Sequence, residues 1–193
     1  MKAIYETRES WLIAATNDLR GGIFKPHAEI PAALRLSCGF PGGRSGKKAI
    51  GQYWHASACM DAVPQVFISP VIDNPVRALD VLVHELVHAC TPGDGHKKSF
   101  KRLALALGLT GKMTATVAGP ELESSLKGLV ERLGAYPHAA INLADRKKQS
   151  TRLNKVKCES CGYTVRVTKK WLESSGAPLC PCSGEAMAVS VSE

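Results

Sequence analysis

Apolar residues recur at helical spacing near the start of the chain. Trp11, Leu12, Ala15 and Leu19 fall on one face of a helix predicted over residues 7–20, and two glycines end it. Three short apolar runs follow, separated by turns rich in glycine, proline and serine. These runs predict strands at residues 33–38, 50–55 and 65–69.

The strongest helix start lies near residue 74. Asp73 or Asn74 can cap this helix, and Pro75 suits its first turn. The apolar residues that follow cover much of the helix surface, which is typical of a buried helix; they are Val76, Leu79, Leu82, Val83, Leu86 and Val87. Two further helices are predicted, from about residue 97 to 107 and from 120 to 133.

Composition favours a folded protein with a polyanionic partner. The chain has 193 residues, 45% hydrophobic and 22% charged, which is close to globular averages and excludes wholesale disorder. Its net charge of +8 favours partners such as nucleic acid. The first residues are too charged for a signal peptide, and the longest apolar run is too short to span a bilayer. We therefore expect a cytoplasmic protein, including at the nucleoid, with no membrane association.

Candidate metal ligands lie in the segment HELVHACTPGDGHKKSF, residues 84–100. His84 and His88 share one helix face, neutral imidazole suits zinc, and Glu85 can serve as general base toward a metal-bound water. The alternative is that both histidines only fill a helix surface. In so apolar a helix, however, burying two imidazoles and a carboxylate without a partner would cost several kcal/mol. The pattern therefore predicts a catalytic zinc.

A catalytic zinc needs a third protein ligand. His96 is the predicted ligand, because the preceding TPGDG segment is suited to turn the chain back toward the first two histidines. Asp94, His138 and Cys90 remain alternatives. Tyr136 and His138 are candidates for an oxyanion donor, with a structural role as the alternative for each.

Four clustered cysteines predict a second metal site. Cys158 and Cys161 are separated from the Cys180–Cys182 pair by a gap that falls within the range for a four-cysteine zinc ribbon. The second pair is one residue shorter than the usual Cys-x-x-Cys, which indicates a tighter turn or a degenerate site. A redox pair and unliganded thiols are alternatives. A structural zinc is favoured, because roughly 40 polar residues have little other core.

Positive charge is concentrated between residues 146 and 170, where nine basic residues accompany a single acid, Glu159. Beside Tyr163 and Trp171, this charge predicts sequence-independent contact with DNA phosphates. A solvated tail is the alternative. The candidate contacts are Arg146, Lys147, Lys148, Arg152, Lys155, Lys157, Arg166, Lys169 and Lys170.

These residues carry a resemblance to a known family. The run from His84 to Ala89, followed by Gly95, His96 and Phe100, resembles the SprT-like (Spartan-related) zinc metalloproteases, and residues 66–86 are similar to the strand and helix that lead into that motif. The resemblance implies an α+β fold. A zincin-like metalloprotease domain, with a short sheet packed on helices and HExxH on a helix, would cover residues 1–144. A basic linker at 145–155 and a small β zinc ribbon at 156–193 would follow.

The resemblance also implies an activity. It indicates a zinc-dependent endopeptidase in which His84, His88 and His96 hold the metal and Glu85 activates a zinc-bound water. Some members of the family act on proteins that are crosslinked to or bound on DNA. One alternative is a DNA-binding adaptor whose protease-like domain is a catalytically weak scaffold; another is a redox or metal sensor built on the cysteines. We expect one catalytic and one structural zinc.

Overall fold

The computed structural model describes residues 3–42, 49–145 and 153–190, except the side chains of residues 145 and 190. It is an α+β protein that divides into two compact units, Met1–Leu143 and Ala144–Glu193. The first domain predicted from the sequence, residues 1–144, ends one residue later than the first unit. Nowhere in the described ranges is a helix both long enough and apolar enough to cross a membrane.

The helices described in the first unit are α1 (Arg8–Gly21), α2 (Pro75–Cys90), α3 (Lys98–Ala106) and α4 (Pro120–Leu133). Their starts follow from local sequence: the Thr7 side chain caps α1, and Asn74 caps α2 with Pro75 in the first turn. The helices predicted from apolar spacing agree with these bounds within about two residues, as expected for helix ends.

A three-stranded sheet packs on these helices. It contains β1 (Arg35–Cys38), β2 (Gly51–Trp54) and β3 (Gln65–Ile68) in the order β1-β3-β2. Central β3 runs parallel to β1 and antiparallel to β2. The buried side chains of Val66 and Ile68 alternate with the less buried Gln65 and Phe67 along β3. Strand β2 therefore lies at an edge of this sheet.

A β-hairpin connects α3 to α4 and was not predicted from the sequence. Its strands are β4 (Leu109–Lys112) and β5 (Ala115–Ala118), and β5 packs against α2. The backbone at the base of the hairpin is closely packed: a Cβ atom on Gly119 would lie only 2.9 Å from the carbonyl oxygen of Gly108. Close packing at this base sets the position of β5 beside α2.

Helix α2 occupies the centre of the first unit. It contacts β2, β3, α3, α4 and β5, and Leu79, Leu82, Val83, Leu86 and Val87 are fully buried. Burying each such side chain stabilises the fold by roughly 1.5–3 kcal/mol. This packing holds the helix that carries the HExxH sequence at a fixed depth and rotation.

The second unit contains a smaller antiparallel sheet. Strands β6 (Leu153–Lys157), β7 (Thr164–Thr168) and β8 (Ala188–Ser190) lie in the order β7-β6-β8, with a short helix α5 (Lys169–Ser175) after β7. Because β6 begins at residue 153, the last three residues of the predicted linker, 153–155, belong to a strand. The buried core is small and consists of Val156, Cys158, Cys180 and Met187.

Candidate metal centres

Three imidazoles converge at the surface of the first unit. His84 and His88 lie one turn apart on α2, and the following loop bends back through Gly93 and Gly95, whose φ values are 79° and 59°. The loop brings the Nε2 atom of His96 to 3.1 Å from that of His88 and 3.4 Å from that of His84. Zinc held at about 2.0–2.1 Å would require ligand nitrogens roughly 3.3 Å apart in tetrahedral geometry. The three nitrogens therefore fit one metal ion.

The Phe100 ring packs against the rings of all three histidines. This fully buried side chain has its ring centroid 4.4 Å from that of His88, 5.0 Å from that of His84 and 4.9 Å from that of His96. Burial is the main cause that lowers the pKa of His84 to about 4 and that of His88 to about 3. Both imidazoles are therefore neutral near pH 7, which is the form that binds metal.

Thr116 on β5 orients His84. Its hydroxyl oxygen lies 2.7 Å from Nδ1 of His84, and the Thr116 side chain is buried. If Nδ1–H donates to this oxygen, the lone pair on Nε2 of His84 is directed toward the other two histidines. Outer hydrogen bonds of this kind fix the tautomer and orientation of a metal-binding imidazole. Sequence reasoning missed Thr116, because only the fold brings the hairpin to α2.

Glu85 is buried between α2 and the edge strand. Its residue exposure is 5%, and burial raises the pKa of its carboxyl to about 8, partly offset by the backbone N–H of Tyr53. A bound cation would lower this pKa toward the range that suits a general base. A Cβ atom at Gly51 would lie 2.4 Å from Oε1 of Glu85, so glycine allows β2 to approach this closely. The sequence contained no local signal for that role of Gly51.

An open cleft of about 590 Å³ lies over the histidines. The residues of its walls come from the start of β2 and from the hairpin, and those of its floor from α2 and the loop after it. They are Ala49, Ile50, Gly51, Gln52, Tyr53, Arg77, Val81, His84, Glu85, His88, His96, Thr114, Ala115 and Thr116. The three imidazoles and Glu85 therefore all line one open cleft.

Two of the alternative third ligands have other partners. Asp94 is bound to the first turn of α3, since its Oδ2 accepts hydrogen bonds from the backbone N–H groups of Ser99 at 2.8 Å and Phe100 at 3.1 Å. Cys90 places its thiol 3.5 Å from the carbonyl oxygen of Glu29. Within the described residues, neither belongs to the histidine cluster.

His138 and Tyr136 also lie apart from the cleft. Nε2 of His138 is 2.9 Å from the carbonyl oxygen of Pro70, and the Tyr136 ring packs on Trp11 with centroids 4.8 Å apart. Neither residue lines the cleft. Their positions favour the structural alternative over oxyanion stabilisation.

Three of the four candidate cysteines meet in the second unit. The sulfur atoms of Cys158, Cys161 and Cys180 form one group that could hold a metal, with 3.4 Å between those of Cys161 and Cys180. The Cys182 side chain is exposed and is not part of this group; its backbone N–H instead approaches the Cys180 sulfur at 3.4 Å. The structure therefore does not bring the fourth predicted ligand to the cluster.

Two similar turns explain why the Cys182 sulfur is not part of the cluster. In the first turn, the N–H of Gly162 donates to the Cys158 carbonyl at 2.9 Å; in the second, the N–H of Gly184 donates to the Cys180 carbonyl at 2.8 Å. Both glycines have positive φ, 78° and 72°. Counting from each first cysteine, Ser183 holds the place that Cys161 holds in the first turn.

The Ser183 hydroxyl is close to the cluster. Its Oγ lies 3.4 Å from the Cys158 sulfur. Hydrogen bonding by the backbone N–H of Ser183, followed by that of Cys182, lowers the pKa of the Cys180 thiol to about 6. This favours the thiolate, which is the form that binds metal. Alignment of the two glycines in the sequence would have revealed the position of Ser183.

Part of the predicted nucleic-acid surface lies on the small sheet. Lys155 on β6 and Arg166 on β7 are neighbours across the sheet, and Lys157 lies on the same sheet face. The buried Val156 side chain lies on the other face. Lys169 pairs with Glu173, and the Lys170 ammonium lies 5.2 Å from the ring centroid of Trp171, an exposed side chain. The remaining candidates lie outside the described residues: Arg146, Lys147, Lys148 and Arg152.

Comparison with protein-family models, curated proteins and solved structures finds no match for this chain. The chemistry of both clusters therefore has to follow from their own atoms. Three neutral imidazoles beside a carboxyl, and three thiols in paired turns, are both ligand sets that suit zinc.

The hydrogen bond from Thr116 provides a test of the histidine cluster. Thr116→Val preserves the side-chain shape but removes the acceptor for Nδ1–H of His84. We expect zinc affinity at the histidines to fall about 10- to 100-fold, as measured by competition with a chelator. Thr116→Ser should retain the affinity, and an unchanged affinity in the valine variant would contradict the orienting role.

The paired turns predict which side chains hold the metal in the second unit. Cys182→Ser should retain zinc, whereas Cys161→Ser should lose one equivalent, because Cys161 belongs to the cluster and Cys182 does not. Ser183→Cys should tighten binding by adding a fourth thiolate. Zinc content per chain and chelator competition measure these effects, and equal losses in the Cys182 and Cys161 variants would restore Cys182 as a ligand.

Proposed function

We propose that the first unit is a zinc-dependent endopeptidase of the SprT-like type, with a zincin-like arrangement of its helices and sheet. The observation that carries the proposal is the convergence of three imidazole nitrogens beside Glu85 on the floor of an open cleft. A site that binds metal only for stability is closed by protein ligands, whereas a catalytic site keeps a position open. The second unit is proposed to be a small zinc ribbon.

The chemistry follows from the positions of these side chains. His84, His88 and His96 would hold the ion on the protein side and leave the cleft side free. Zinc bound there supplies a Lewis acid for water and for the peptide carbonyl. Glu85 accepts a proton from the attacking water and delivers it to the nitrogen of the departing amine. Burial of Glu85 against β2 keeps its carboxyl beside the cleft floor during both transfers.

The edge strand supports a peptide as the substrate. Sheet order places β2 at an edge, and residues from its first half line the cleft. The backbone N–H of Tyr53 is taken by Glu85, so a peptide would pair with the other edge groups of β2. An extended peptide can hydrogen-bond to such an edge as an added strand, which would lay its backbone across the metal centre.

We also propose that the second unit binds DNA without reading its sequence, so that proteins on DNA are the substrates. Lys155, Lys157 and Arg166 share one sheet face, which suits contact with successive phosphates. The exposed rings of Tyr163 and Trp171 offer surfaces on which bases can stack. A chain that binds DNA but cleaves no protein would support the adaptor alternative instead.

Replacement of Glu85 tests the proposed catalysis. Glu85→Gln retains the side-chain shape but cannot accept the proton from water, so we expect proteolysis to fall by at least about 100-fold while zinc is retained. Cleavage of a denatured protein by the full chain and zinc content measure the two effects. Glu131→Gln, at an exposed position of α4, is the matched control. Full activity in Glu85→Gln would remove this residue from the mechanism.

The salt dependence of DNA binding tests the lysine face. Each lost phosphate contact reduces the slope of log affinity against log salt by about 0.9 on duplex DNA. We therefore expect the joint change Lys155→Ala and Lys157→Ala to weaken binding and lower the slope by up to about two, as measured by fluorescence anisotropy. The matched control replaces exposed Lys25 and Lys112 in the first unit. An unchanged slope in the Lys155 and Lys157 variant would indicate a solubilising role for this charge.

A further inference from the structure

Arg77 lies in the same cleft as the histidine cluster. It precedes His84 by seven residues on α2, so two helical turns place both residues on one face, about 10 Å apart along the helix axis. Arg77 lines the cleft together with His84 and Glu85, and it also lines a neighbouring pocket that contains Asp80. Nothing in the proposed hydrolytic step uses Arg77, although its charge is close enough to contribute to the lowered pKa of His84.

Asp80 holds the guanidinium in place. Its Oδ2 accepts a hydrogen bond from Nη1 of Arg77, and its side chain is 7% exposed while that of Arg77 is 38% exposed. Within the described residues, no other side chain accepts a hydrogen bond from this guanidinium. The Asp80 carboxylate thus binds one part of the Arg77 guanidinium and fixes its orientation. The other N–H donors of the guanidinium remain free.

A carboxylate is the chemical group that matches this arrangement. A guanidinium presents pairs of parallel N–H donors, which bind a carboxylate through two hydrogen bonds. Among the described residues that line the cleft, Arg77 is the only one that carries a permanent positive charge. Asp80 already balances this charge, so the match lies in the N–H donors that Asp80 leaves free, which a substrate carboxylate can bind inside the cleft.

The direction of β2 indicates which side of the substrate reaches Arg77. A Cβ atom at Gly51 would lie 2.5 Å from Cγ1 of Val81, and further along β2 the Tyr53 ring lies parallel to that of His88. Strand β2 and helix α2 therefore run in the same sense. A peptide that pairs antiparallel with β2, the more stable arrangement, would have its C-terminal part near Arg77.

We propose that Arg77 binds a carboxylate of the substrate two or three residues beyond the cleaved bond on its C-terminal side. The number of residues follows from two lengths. Arg77 and His84 are about 10 Å apart along α2, and an extended peptide rises about 3.3 Å per residue. This inference rests on the proposed peptidase function. The carboxylate belongs to an aspartate or glutamate side chain, or to the C-terminus of a short substrate.

A binding experiment tests the subsite without any need for cleavage. The full chain with Glu85→Gln and zinc is mixed with fluorescent, C-terminally amidated ten-residue peptides that differ only in one Glu or Gln. We expect the Glu peptide to bind about tenfold more tightly, equal to about 1.4 kcal/mol. Equal affinities would overturn the proposal. A peptide with Gln and a free C-terminus shows whether a terminal carboxylate is also accepted.

Substitutions assign the preference to Arg77. Arg77→Gln should abolish it, and Arg77→Glu should transfer it to a peptide with Lys at the same position. Because Asp80 would lose its partner in these variants, the joint change Arg77→Gln with Asp80→Asn provides a neutral pair that avoids an unpaired buried charge. The control Arg102→Gln removes one charge from an exposed position on α3, outside the cleft, and should keep the preference. Retained preference in the neutral pair would refute the role of Arg77.

Mapping of cleavage sites separates this inference from the proposed function. When the wild-type chain cleaves a mixture of peptides, mass spectrometry should find Asp and Glu enriched two or three residues after the cut bond. Cleavage without that enrichment contradicts the subsite and leaves the peptidase function intact. If no peptide is cleaved, the peptidase function fails, while the binding measurements still accept or reject a carboxylate site at Arg77.

Discussion

The burial of helix α2 determines where His84, Glu85 and His88 lie. The helix packs against two strands of the sheet, the hairpin, α3 and α4, so its rotation is fixed by apolar contacts on several sides. His84, Glu85 and His88 project from the one region of the helix that the cleft leaves open. Burial raises the pKa of Glu85 and lowers those of the two histidines, so the same packing that orients these groups also sets their charge.

The two clusters relate differently to their surroundings. The histidines lie at the edge of a large apolar core that includes Trp11 and Phe24 and contains none of the three metal-ligand candidates. In the second unit, Cys158 and Cys180 are themselves half of the small buried core. A metal there would contribute folding free energy directly, as it does in small domains that bind structural zinc. Chelation should therefore unfold the second unit more readily than the first.

The sequence was sufficient for the parts of the structure that depend on local spacing. Apolar periodicity and residues at helix ends identified the four helices of the first unit but not α5, and the turn before His96 indicated its return to the other histidines. The hairpin was missed, because residues 109–118 include three threonines, and in β5 the polar Thr116 is buried while the apolar Val117 is exposed. Thr116 and Gly51 matter only through contacts with α2 from distant strands. The prediction of Cys182 as a ligand rested on the spacing of the two cysteine pairs, which does not show that Ser183 holds the place of Cys161.

The hydrogen bond between Thr116 and His84 also has a consequence for the order of assembly. The two residues are 32 positions apart, so the HExxH sequence leaves the ribosome well before the strand that orients it. Contacts between distant segments form late, since the intervening chain must first be ordered. During synthesis, the nascent chain would contain all three histidines before their mutual geometry is fixed. A centre with the proposed activity would thus gain full competence only after the hairpin has joined the core.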